Sequence, residues 1–165
     1  MSSSSAVRSD MLRQWMKSVV SVTIEGVASG EHPFGAGVFT EDGRQIAVAH
    51  NEVVTRCDPT AHAEILAIGK AAKKLRGPDL SGLWIVSTGE PCPMCLAAIG
   101  LAGIQRVAYG ASAATIEAAN FGTLGLKASD LASQLSPAIE LTGGVLEYDC
   151  SALLINHRRK DQGDG

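Results

Sequence analysis

Two short stretches concentrate the side chains that can do chemistry. His62-Ala63-Glu64 opens one expected helix, and Pro91-Cys92-Pro93-Met94-Cys95 opens another directly after an expected strand. Cys92 and Cys95 stand at i and i+3, so at a helix start their sulfurs share one face, where unpaired backbone N–H groups favour thiolates. Two adjacent thiolates want a cation. His62 brings the protein ligands to three, and because zinc is usually tetrahedral, a fourth position stays open for water, as in a catalytic site. Bound zinc lowers the pKa of water towards about 7, and a group is still needed to carry a proton from that water to a leaving atom. Glu64, close to His62 in sequence and not obliged to ligate, is the expected carrier.

Plainer readings use the same residues. A lone C-x-x-C can be a redox pair, but that leaves His62 and Glu64 without a role. The zinc can be purely structural, with Cys57, Cys150 or another histidine as fourth ligand and Glu64 merely a charge at a helix start. A noncatalytic zinc module that binds a base or RNA is the contrasting class. His32 and His50 have no partner pattern and are expected at the surface or at strand ends, and Cys57 and Cys150 are expected to be ordinary reduced thiols.

The elements that must position these groups alternate along the chain. Met11, Leu12, Trp15, Met16, Val19, Val20, Ile24 and Val27 recur at helical spacing, which predicts an amphipathic helix over about residues 9 to 29. Phe34 to Thr40 and Arg44 to His50 have strand character around the turn Glu41-Asp42-Gly43. A helix follows from Ala61 to Leu75, then the strand around Leu83 to Val86, a helix from Pro93 to Leu101 and a strand at Arg106 to Tyr109. Ile139 to Leu141 and Leu146 to Arg159 close the pattern as strand and helix, while Gly110 to Leu131, rich in Ala, Gly and Ser, shows no period that assigns it. The expectation is a three-layer α/β/α sandwich with a mixed, five-stranded sheet. Residues 1–8 are expected to be a disordered segment, 9–159 the domain, and 160–165 a flexible tail.

Composition narrows the function classes. The 165 residues fit one domain, and 45% hydrophobic with 19% charged residues is ordinary for a globular chain. A net charge of −3 gives no general attraction to phosphate backbones, although Lys70, Lys73, Lys74 and Arg76, and the run from His157 to Lys160, are local basic clusters. A small-molecule partner is favoured over nucleic acid. With no basic stretch leading into an apolar one at the N-terminus and no unbroken apolar run, the protein is expected to be cytoplasmic, reduced and not membrane-bound.

The pairing of H-x-E with P-C-x-x-C is the signature of the zinc deaminases. His32-Pro33-Phe34-Gly35-Ala36, Asn51, Asp58 to Glu64 and Glu90 to Cys95 resemble the cytidine and deoxycytidylate deaminase superfamily, over roughly residues 10 to 155. Within it, Pro33-Phe34-Gly35-Ala36 and Cys92-Pro93-Met94-Cys95 are most similar to bacterial guanine deaminases and related nucleoside deaminases. The resemblance implies Zn2+ as cofactor, Glu64 as proton carrier, Asn51 hydrogen-bonding the substrate, the Ala61 backbone reading the base, Phe34 in the pocket, and a homodimer. It implies release of ammonia from a nucleobase or nucleoside, with guanine to xanthine first, and guanosine, cytosine or a tRNA adenosine as alternatives. The sequence departs in having Thr115 where such enzymes often carry an acidic residue, with Glu117 nearby as a substitute, and in a tail from His157 to Gly165 without an aromatic residue.

Overall fold

The computed structural model describes residues 2–159. Helix α1 runs Ser2–Ala28 and stops at Gly30, whose φ of +95° takes the chain out of the helix. The segment expected to be disordered is therefore helical from Ser2 onward. No Gly or Pro interrupts the chain before Gly26, so the helix nucleated over the Leu12, Trp15, Met16 and Val19 stripe propagates through the serines, each added residue bringing its own hydrogen bond. The expected tail 160–165 lies outside the described residues.

Strands β1 (Gly35–Phe39) and β2 (Gln45–His50) form the expected antiparallel pair, and β1 pairs antiparallel with β3 (Trp84–Gly89) on its other edge. From β3 the sheet continues in parallel through β4 (Arg106–Ala111) to β5 (Glu140–Thr142), giving the order β2-β1-β3-β4-β5. Parallel neighbours need a crossover, and the helices that make it cover both faces.

On one face lie α3 (Ala63–Leu75), α4 (Pro93–Leu101) and the short α6 (Ala128–Ala132), where Ala63, Ala67, Ala71, Leu96 and Ile99 pack on Val38, Ile85 and Val107. On the other lie α1, α5 (Ala113–Ala118) and α7 (Glu147–Asn156), where Trp15, Met16, Val19, Cys150 and Leu154 pack on Phe39, Trp84, Val86 and Ala108. Alternate residues of β3 thus feed opposite cores, as the period-2 side-chain pattern of a strand covered on both faces requires. The sandwich is the one expected; α3 starts at Ala63 and α7 ends at Asn156, inside the expected bounds, while β3 and β4 run on to Gly89 and Ala111.

The close approach of α1 to β1 depends on Gly35. A Cβ there would run into Thr23 Oγ1 and come within 3.1 Å of the Val19 carbonyl, while the Gly35 N–H reaches Thr88 Oγ1 at 3.0 Å. Two features escaped the sequence reading: α2 (Val53–Arg56), a single turn after β2, and the pair of short helices α5 and α6 inside the unassigned stretch. Among the described residues no helix is long and apolar enough to cross a membrane.

Candidate active site

His62 and Cys92 occupy equivalent places, each the N-cap residue of its helix with extended backbone (ψ 151° and 167°). Pro93 fills the first position of α4, where its missing N–H costs nothing, and one turn later Cys95 points back to the same spot. His62 Nδ1 lies 3.7 Å from Cys92 Sγ and 3.4 Å from Cys95 Sγ, and the three ligand atoms are mutually within 4.8 Å. With Zn–S near 2.3 Å and Zn–N near 2.0–2.1 Å, tetrahedral neighbours stand about 3.5 Å apart, so one zinc ion fits this donor set without rearrangement.

The thiols are already unequal. Cys92 is drawn down to about 4, first by the hydrogen bond it shares with the Cys95 thiol and further by His62, against the opposing effect of burial. Cys95 is pushed up by the same shared bond and by burial. A cation arriving here removes that competition, since a coordinating thiol is deprotonated outright.

Glu64, in the first turn of α3, is buried and stands beside the triad without joining it. Its Oε1 accepts from Ser87 Oγ at 2.8 Å, and Ser87 is itself an inward residue of β3; Oε2 faces Cys95 Sγ at 3.5 Å. Burial pushes the Glu64 carboxyl above the usual carboxylate range, while its own backbone N–H, the His62 ring and the Ser87 hydroxyl act the other way. A carboxyl so placed can hold a proton and pass it on.

Glu64, His62 and Cys92 form the floor of a cavity of about 240 Å³. Phe34 and Asn51 line it. Asn51 is buried and uses its carbonyl oxygen to accept the Val53 N–H at 3.0 Å, which leaves its NH2 group to offer. Ala61 is not among the lining residues; its N–H goes to Asp58 O at 3.1 Å and its carbonyl accepts from Glu52. The Glu117 side chain accepts from Thr123 Oγ1 and is not among the lining residues either.

Four residues of the site were missed, three that line the cavity and Ser87, which tethers Glu64. Ser87 is an unremarkable serine in an apolar strand, and Phe121 lies in the unassigned stretch. Phe121 meets Phe34 edge-on at 5.1 Å and His32 at 5.4 Å. His32, expected at the surface or a strand end, is a half-buried part of this wall, where burial and then Arg159 lower its pKa. Glu90 also lines the cavity; its place directly before Pro91-Cys92 was the one available signal. His50 stays at a strand end, bonded to the Asn51 carbonyl at 2.8 Å. All four cysteines are free; Cys57 is exposed, and burial pushes Cys150 up to about 12, so neither serves the triad.

Residues 9–111 match the family profile described as the cytidine and deoxycytidylate deaminase zinc-binding region. The guanine deaminase of Bacillus subtilis is 46% identical over 98 residues, which cover 59% of this chain and 62% of that protein, less than two thirds of its length. A tRNA-specific adenosine deaminase of Haemophilus influenzae is 33% identical over 150 residues, covering 90% of this chain and 83% of the relative. A solved structure of a protein in complex with 8-azaguanine superposes with a TM-score of 0.83 at 30% identity, over 89% of this chain and 84% of that one.

Proposed function

The chain belongs to the cytidine and deoxycytidylate deaminase family, and we propose that it is a zinc-dependent aminohydrolase that converts guanine and water to xanthine and ammonia. The observation that carries the reading is the buried Glu64 carboxyl, tethered by Ser87 and adjacent to a His/Cys/Cys donor set on the floor of a cavity sized for one base. His62, Cys92 and Cys95 hold the zinc. When bound, the metal supplies a Lewis acid that makes a water molecule acidic enough to attack near neutral pH.

The chain's own residues do the rest. Glu64 takes a proton from the attacking water on Oε2, the oxygen not engaged by Ser87, and delivers it to the ring nitrogen next to the carbon under attack. Glu64 then takes a second proton from the hydroxyl now on that carbon and gives it to the departing amine, so that the C–N bond breaks, ammonia leaves and the carbonyl of the product forms. Asn51 offers its NH2 to an acceptor on the base edge. Phe34 and Phe121, in edge-on contact with each other, form one apolar wall for the ring, and a purine packed against it is shielded from water while the proton moves.

Guanine is favoured by the identity to a guanine deaminase and by the likeness to a structure holding 8-azaguanine. The longer alignment with a tRNA-specific adenosine deaminase supports a second reading, deamination of a base presented by RNA. A homodimer in the cytoplasm completes the proposal; the exposed Leu101 at the end of α4 and Tyr148 on α7 are apolar groups a partner subunit could cover, and sedimentation of the purified chain tests it.

The deciding experiment measures ammonia release from guanine by the purified, zinc-loaded chain beside Glu64→Gln. Release by the wild type alone supports the proposal. Wild-type silence on guanine, with deamination of an anticodon stem-loop and salt-sensitive retardation of that RNA in a gel, transfers the site to the second reading. Equal behaviour of the two chains in every assay sinks catalysis at Glu64.

A further inference from the structure

Glu90 takes no part in the proton transfers above, yet its carboxylate is fully engaged. Oε2 accepts the Ala113 N–H at 2.7 Å, and Oε1 accepts the Ala128 N–H at 2.8 Å. Ala113 and Ala128 are the first residues of α5 and α6, whose leading N–H groups have no partner inside their own helices. The Glu90 backbone N–H is bound to Ala111 O at 2.8 Å, which fastens the same loop to the end of β4. One side chain therefore ties both ends of the segment 113–128 to a residue that directly precedes Pro91-Cys92.

That segment supplies much of the cavity wall opposite the triad, including Ile116, Phe121 and Thr123. Its first part is packed into the core through Ile116, Ala119 and Phe121, but residues 124–127 are exposed and the backbone passes through positive φ at Asn120, Leu124 and Gly125, so packing holds the approach to α6 weakly. An ionised carboxylate is suited to this place because it is acceptor-only, with one oxygen for each N–H.

We propose that Glu90 is a positioning residue for the substrate: by holding Ala113 and Ala128 it fixes the distance from the Phe121 wall to the metal corner and so sets the width available to the base. This rests on the deaminase reading above. Glutamine tests it closely, because its NH2 would meet one of the two N–H groups with a second donor, while Glu90→Asp keeps the charge but falls one methylene short.

The experiment compares zinc-loaded wild type, Glu90→Gln and Glu90→Asp by steady-state kinetics on guanine, zinc content, 8-azaguanine affinity and amide hydrogen exchange. For Glu90→Gln, KM and the 8-azaguanine dissociation constant should rise about tenfold with kcat within about threefold. Zinc content should not change, and exchange should accelerate across 113–128 but not across 62–67 or 92–96. Glu90→Asp should fall between. A merely structural role lowers the amount of active chain and leaves KM alone, so unchanged KM and affinity overturn the proposal. It is equally overturned by unchanged exchange across 113–128, by loss of zinc, or by a Glu90→Gln chain that does not fold. If the wild type releases no ammonia from guanine, the functional reading fails separately, and exchange with 8-azaguanine affinity still decides the role of Glu90.

Discussion

The two sides of the cavity are built by opposite means. His62, Glu64, Cys92 and Cys95 ride on the first turns of helices of 13 and 9 residues, whose inner faces are locked into the core by Ala63, Ala67, Leu96 and Ile99. The facing wall is made of helices of six and five residues joined by turns, and hydrogen bonds to one carboxylate anchor both of its ends. Groups that must meet a metal and move a proton need placement within fractions of an ångström, which a packed core supplies. Groups that select a ring can stand on a segment that changes without disturbing the chemistry.

If that division is right, perturbations of the two sides should differ in kind as well as size. The largest effect belongs to the metal: stripping zinc with a chelator should reduce ammonia release to background, readdition should restore it, and far-ultraviolet circular dichroism should change little, because the apolar core does not depend on the ion. Next, Glu64→Gln should lower kcat by about 10²- to 10⁴-fold with zinc retained, the range for loss of a general acid–base group. A matching rise in KM there would break the comparison.

On the other side, Phe121→Leu removes an edge-on ring contact worth about 0.5–1.5 kcal/mol, so KM should rise by at most about tenfold while kcat and zinc content hold. The smallest effect is expected at Cys57, exposed and outside the triad, where Cys57→Ser should alter stability by less than about 0.5 kcal/mol and leave zinc stoichiometry unchanged. Loss of zinc from that variant would mean the donor set is larger than three.

The same contrast explains what could be read from the chain alone. Metal chemistry dictates residue types and spacing, so His62, Glu64, Cys92 and Cys95 are visible without any fold, and the long apolar periods of α1, α3 and the strands are visible with only one. The wall carries no such period. Alanines at 113, 114, 118 and 119 suit many conformations, and their helix is placed by partners distant in sequence, such as the Glu90 carboxylate that accepts the Ala113 N–H. Ser87 was hidden for a related reason: its role comes from facing the start of α3 on the covered side of the sheet, which no local pattern encodes. His32 was misplaced because a histidine at the end of a loop looks like surface until Phe121, far along the chain, closes over it.

The chain's two tryptophans, Trp15 and Trp84, lie 6.0 Å apart between α1 and β3, with Phe39 stacked on Trp15 at 5.0 Å and the Arg106 guanidinium 4.9 Å from the Trp84 ring. Neither indole lines the cavity. Intrinsic fluorescence is therefore a built-in gauge of the sheet and its first helix, and its emission shift on adding denaturant reports the frame whether or not the site is filled.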